Sequence, residues 1–83
     1  MKLRVLYFAR LRERFGVAEE SLELAGTTAA DLIAQLQARG GVWEEELAPA
    51  RAFRVAVNQE IVALEVVLTD HAEVAIFPPV TGG

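Results

Sequence analysis

Apolar and polar residues alternate from Lys2 to Phe8, with Leu3, Val5 and Tyr7 on one side and Leu6 and Phe8 on the other. A period of two is that of a β-strand, and apolar residues on both sides near its end predict a central strand or one whose second face meets a partner. From Ala9 to Phe15, Leu11 and Phe15 stand four apart among charged residues, the spacing of one or two helical turns, and Gly16 stops them. Ser21 to Leu24 alternates again, with Leu22 and Leu24 inward, and predicts an N-terminal hairpin with a long connection. Thr28 to Arg39 carries the best helical pattern, a stripe of Ala29, Leu32, Ile33 and Leu36. Thr28 caps it with Asp31 three residues on, and Gly40-Gly41 supplies the exit. Residues 42–48 predict a short acidic helical turn around Trp43 and Leu47, ended by Pro49. Strands are then predicted over Phe53–Val57, Ile61–Val62, Glu65–Leu68 and Glu73–Phe77, with turns at Asn58-Gln59 and Thr69–Ala72. One strong helix cannot cover both faces of a sheet. The fold class is therefore α+β, a mixed sheet wrapped around a helix.

The pattern changes character after Phe77. Pro78 and Pro79 hold the backbone near an extended path and lack the donors a strand ladder needs. A domain over residues 1–77 is thus expected to release residues 78–83 as a projecting tail, and six extended residues reach up to roughly 20 Å. Gly82 and Gly83 have no side chains, so the tip is thin enough for a narrow channel.

Composition narrows the chemistry. Eighty-three residues make one small domain, which buries only roughly 60 to 65% of its unfolded surface. The chain has no cysteine, which removes disulfides, a thiolate nucleophile, cysteine-ligated zinc and a persulfide carried on the protein itself. That fits a reducing compartment. The N-terminus has neither a long apolar core nor a small-residue cleavage site, so no signal peptide or membrane span is expected, and the expected location is cytoplasmic. Twelve acidic against eight basic residues give a net charge of -4, which argues against a nucleic-acid binder. No Lys or Arg follows Arg54, while Glu60, Glu65, Asp70 and Glu73 do, a tilt that favours a basic partner and is also that of an ordinary solvated surface.

Other candidate sites read as structural. His71 is the only histidine and lacks partners for a metal; Ser21 lacks the setting of a nucleophile. Glu44, Glu45 and Glu46 are consecutive, point in different directions on a helical turn, and are expected to be solvated. Gly40-Gly41 lacks the residues of a phosphate loop.

Three stretches carry a family resemblance: Phe8-Ala9-Arg10-Leu11-Arg12-Glu13, Ala56-Val57-Asn58-Gln59, and Glu73 through Phe77-Pro78-Pro79-Val80-Thr81-Gly82-Gly83. Across the whole chain they resemble the small, sulfur-carrying subunits of molybdopterin synthase, within the ubiquitin-like β-grasp superfamily. The resemblance implies a β-grasp fold with the first and last strands side by side and parallel. It implies that an E1-like enzyme uses ATP to adenylate the Gly83 carboxylate, and that a separate sulfur donor system converts the adenylate to a thiocarboxylate. The tail then enters the large synthase subunit, in a heterotetramer of two small and two large chains, and gives sulfur to cyclic pyranopterin monophosphate. Gly83 is the reacting residue, Gly82 keeps the tip thin, and Phe8, Phe77, Pro78, Pro79, Val80 and Thr81 meet the partner. No cofactor or metal is expected on the isolated chain, no nucleic acid or membrane among its partners, and the catalytic groups are expected on the large subunit. One departure is His71-Ala72, where the family usually has Gly-Asp. Carriers for thiamin thiazole or tRNA thiolation, and ubiquitin-like modifiers conjugated to lysine, share the fold and the Gly-Gly end and stand as alternatives.

Overall fold

The computed structural model describes residues 1–79. Strand β1 (Lys2–Tyr7) leads directly into helix α1 (Ala9–Phe15), then strand β2 (Glu19–Glu23), helix α2 (Ala29–Gln37), helix α3 (Val42–Glu46) and strands β3 (Arg54–Val57), β4 (Glu60–Val62) and β5 (Glu73–Phe77). The five strands form one mixed sheet in the order β2-β1-β5-β3-β4. Strands β1 and β5 are parallel at its centre, and every other pairing is antiparallel. This is the β-grasp arrangement that the resemblance implied.

Alternation decides which side of the sheet is covered. Leu3, Val5 and Tyr7 of β1, Val55 of β3, and Val74 and Ile76 of β5 are buried in one cluster with Leu11, the α2 stripe and Leu47. All three helical segments therefore pack on the same side. The α2 start is a full capping box, with Thr28 Oγ1 accepting from the Asp31 N–H at 3.1 Å and Asp31 Oδ2 accepting from the Thr28 N–H at 3.0 Å.

Two expectations need correction. Glu65–Leu68 is not a strand; it makes a single bridge, Val67 to Thr28. Its polar groups serve the start of α2 instead. The Val66 carbonyl, and that of Leu64 just before the segment, accept from the Ala29 and Ala30 N–H groups at 3.1 and 2.9 Å, donors that a helix leaves free in its first turn. The Leu68 N–H, in turn, donates to the Thr27 carbonyl at 2.8 Å.

Glu46 is the second correction. It is 1% exposed, whereas Glu44 and Glu45 are solvated as expected. Its carboxylate takes Arg10 Nε at 3.0 Å and Arg14 Nε at 3.2 Å, with Arg51 Nη2 at 3.7 Å. A buried carboxylate is tolerated when it is paired and hydrogen-bonded, and here the pairing ties α1 to α3.

A second polar clamp lies under β1. The Tyr7 hydroxyl donates to Glu20 Oε2 at 2.7 Å, and both Glu20 oxygens accept from Arg39 at 2.8 Å. The Arg39 guanidinium lies 4.4 Å from the Trp43 ring centre, and Trp43 stacks on Phe15 at 3.8 Å. Burial, with help from Glu20, pushes the Tyr7 phenol well above its ordinary value. The Arg39 hydrogen bonds hold the Glu20 carboxyl below its ordinary value, against the opposing effect of burial.

Candidate functional site

The residues of the central strands that do not point to the helices build the opposite face. Register places Leu6 beside Ala75, Ala75 beside Ala56, and Ala56 beside Ile61, a row running across four strands. Such a row stands on one face because side chains that are direct partners project the same way. Ile61 is 65% exposed at its end. The next row pairs Phe77 with Arg54, and the Phe8 N–H extends the parallel ladder by donating to the Ile76 carbonyl at 3.2 Å. Phe8 therefore stands beside Phe77 on this face, 44% exposed, whereas Phe77 is half-buried.

Phe8 is held there by the turn that follows. It is the N-cap of α1, its carbonyl accepting from the Leu11 N–H at 3.1 Å, and Ala9 takes φ +52° to reverse the chain. An alanine in that left-handed region costs about 1–2 kcal/mol, so the surroundings must fix it. Leu11 in the core and the Arg10 and Arg14 links to Glu46 do so. The charged row lies on the other side of the apolar one: Arg4 pairs with Glu19 at 2.6 Å and approaches Glu73 to 3.9 Å.

The Ala56–Gln59 motif also acquires a reason. Asn58 and Gln59 have φ of +49° and +72°, the double left-handed turn of a tight hairpin. Asn58 Oδ1 accepts from the Glu73 N–H at 3.1 Å, and the Asn58 N–H donates to the Glu73 carbonyl at 2.8 Å. The turn thereby fixes where β5 begins. At the departure from the family pattern, His71 has φ +65°, the region in which glycine is unstrained. His71 Nε2 lies 3.3 Å from Asp70, and the Asp70 carboxylate, which accepts from the Lys2 N–H at 2.8 Å, is held below its ordinary value chiefly by that bond.

The sequence-predicted residues divide accordingly. Phe8 and Phe77 come together on the open face. Pro78 and Pro79 follow β5 and are half-buried. Val80, Thr81, Gly82 and Gly83 lie outside the described residues. Leu6, Ala56, Ile61 and Ala75 complete the face and were not singled out from the sequence, because their membership depends on strand pairing. Among the described residues no three His, Cys, Asp or Glu side chains are grouped as metal ligands, and no helix is long and apolar enough to cross a membrane.

This geometry, an open apolar face leading to the end of β5, coincides with matches along nearly the whole chain. The ThiS family model matches residues 5–83. A molybdopterin synthase sulfur carrier subunit of Haemophilus influenzae is 40% identical over 81 residues, 98% of this chain and 99% of its own. Among solved structures, a Pyrococcus furiosus chain provisionally described as molybdopterin converting factor, subunit 1, superposes with a TM-score of 0.80 at 34% identity, covering 96% of this chain and 99% of that one. Small archaeal modifier protein 1 of Methanosarcina acetivorans superposes with a TM-score of 0.78 at 26% identity, covering 99% and 96%. The chain belongs to the ThiS family, on the branch of the molybdopterin synthase sulfur carrier subunits.

Proposed function

We propose that this protein carries sulfur for molybdopterin synthesis as a thiocarboxylate on Gly83. The observation that supports it most directly is the 40% identity to a named sulfur carrier subunit over 98% of the chain. The ending Phe77-Pro78-Pro79-Val80-Thr81-Gly82-Gly83 supplies the chemistry. An α-carboxylate with an ordinary pKa of about 3.5 is ionised at neutral pH and able to attack the α-phosphorus of ATP, with pyrophosphate leaving. The resulting acyl-adenylate is a good electrophile. A sulfide-equivalent nucleophile displaces AMP from it and leaves the thiocarboxylate. An E1-like enzyme provides the ATP site for this step.

The partner for the second half is a large synthase subunit, which supplies the catalytic groups and the pterin pocket, in an assembly of two small and two large chains. Residues 78–83 act as the tail that enters it, Gly82 keeping the tip narrow. The face built on Phe8, Phe77, Leu6 and Ile61 docks against the partner, since a half-exposed aromatic pair at the root of the tail is the kind of anchor that dominates interface affinity. The likeness to a small archaeal modifier favours conjugation to lysine as the second reading, and its lower identity ranks it below the first.

Reconstitution decides between them. The chain, incubated with an E1-like enzyme, ATP, a sulfide source, a large subunit and the cyclic pterin precursor, is expected to yield the dithiolene product. Failure with every candidate large subunit, together with isopeptide-linked adducts in cell extract, would favour the modifier.

A further inference from the structure

Helix α1 has seven residues, short of the roughly 12–15 at which a helix begins to hold itself in water. Nothing local fastens its start: Phe8 at the N-cap makes no side-chain hydrogen bond, and the first turn has no acidic residue. Phe8 keeps the extended angles of β1, φ -126° and ψ 154°, so the reversal begins at Ala9, at φ +52°. The bond that bears on this turn comes from the helix side of the sheet. Glu46, at the end of α3, is the one charged residue that is fully buried among the described residues. Its Oε1 accepts from Arg10 Nε at 3.0 Å, and its Oε2 lies 3.2 Å from Arg14 Nε. Arg10 and Arg14 stand four apart on one face of α1, so a single carboxylate grips the helix at both of its turns. Arg10 is the residue next to Ala9.

We propose that Glu46 is a positioning residue for partner docking: by holding Arg10 and Arg14 it keeps Ala9 in the left-handed region and Phe8 on the open face. This rests on the reading that the open face meets the large subunit. Glu46 cannot itself touch that partner, being 1% exposed and packed with the helices behind the sheet. Its effect therefore has to pass through α1. Leu11 in the core and Phe15 stacked on Trp43 keep α1 on the domain, and the Arg10 bond fixes its first turn. Without that bond, Ala9 is free to return to the negative φ that an L-residue prefers, and Phe8 moves with it. A binding surface that is assembled only part of the time binds in proportion to that fraction.

Titration of the full chain against the large subunit by calorimetry tests this, with a urea melt on each variant. E46Q keeps the shape of the side chain and removes its charge. It is expected to weaken the complex about tenfold, the result of Phe8 being in place about a tenth of the time. The Ala9 backbone carbon shifts, which follow φ, should move away from left-handed values. Adding A9G, which removes the strain at positive φ, should return most of the lost affinity. In a Phe8→Ala background, E46Q should have no further effect, because the side chain it positions is gone. Arg10→Gln, which leaves Glu46 beside Arg14, should weaken binding in the same way and takes over the test if E46Q does not fold. The inference is overturned if folded E46Q, or Arg10→Gln in its place, binds as wild type does while Phe8→Ala binds weakly. A loss that persists undiminished in the Phe8→Ala background, or after A9G is added, overturns it too. Wild-type affinity in Phe8→Ala and Phe77→Ala as well would overturn the docking reading itself, and this inference with it.

Discussion

Successive residues of β5 serve opposite sides of the sheet. Val74 and Ile76 are fully buried against the helices, while Ala75 and Phe77 face the open side and are only half-buried. The same strand thus holds the domain together with one set of side chains and offers a contact surface with the other. Period-two geometry makes the sets separable, so stability and recognition should respond to different mutations even at neighbouring positions.

The largest separation should appear between Ile76 and Phe77. Ile76→Ala removes a fully buried side chain and is expected to cost about 2–5 kcal/mol in a urea melt. Phe77→Ala should cost far less stability but weaken the large-subunit complex by about 30-fold or more, the scale of an interface anchor. Phe8→Ala should act in the same direction. If both phenylalanine variants remain folded and bind the partner at wild-type affinity, the open face is not the docking face.

A smaller effect is expected at the clamp beneath β1. Arg39 holds the folded-state pKa of Glu20 below its ordinary 4.5, so this carboxylate contributes stability that is present above that value and lost as pH falls through the depressed one. At pH 7, Glu20→Gln should cost about 1 kcal/mol, a modest figure because the pair is partly exposed to water. The gap between variant and wild type should close as pH drops below about 4.5. A gap that widened on acidification would mean that Glu20 is not stabilised by its ion pair.

The smallest effect belongs to the turn before β5. His71 at φ +65° sits where a side chain is strained, so His71→Gly should raise stability by about 0.5–1 kcal/mol, read as a higher melting midpoint. Partner affinity should not change, since the turn lies at the opposite end of β5 from Phe77. A loss of stability would show that the histidine side chain contributes more than its backbone costs.

Sequence reasoning reached the elements whose signals are local. The Thr28–Asp31 capping box, the α2 stripe, the Asn58-Gln59 turn and the alternation of β1 and β5 all lie within a few residues of one another. What it missed is set by partners distant in the chain. Glu46 is buried because Arg10 and Arg14, more than thirty positions earlier, reach it; three adjacent glutamates carry no sign of that. Residues 65–68 are rich in β-branched and aliphatic side chains like a strand, yet the Val66 carbonyl is taken by the first turn of α2 and the Leu68 N–H by the Thr27 carbonyl. The candidate face was half legible. Phe8 and Phe77 stood out as aromatics on strands with two apolar sides, but Leu6, Ala75, Ala56 and Ile61 form a row only once β1, β5, β3 and β4 are placed in register.

The central claim is that the Gly83 carboxylate itself carries the sulfur, and the position of that carboxylate is what a partner active site must fix. Misplacement of about 1 Å can already cost 10²-fold in rate, so one residue added after Gly83, or Gly83 removed, should abolish transfer. Under the projecting-tail reading, both changes leave residues 1–77 as they are, so the melting midpoint should barely move. The direct measurement is intact mass after incubation with activating enzyme, ATP and a sulfide source, with a melt on the same samples. The wild-type chain should gain the mass of one oxygen-to-sulfur exchange, and the extended and shortened chains, equally folded, should not. An extended chain that forms the thiocarboxylate and supports product formation at the wild-type rate, with its added residue still present by mass, would contradict the account.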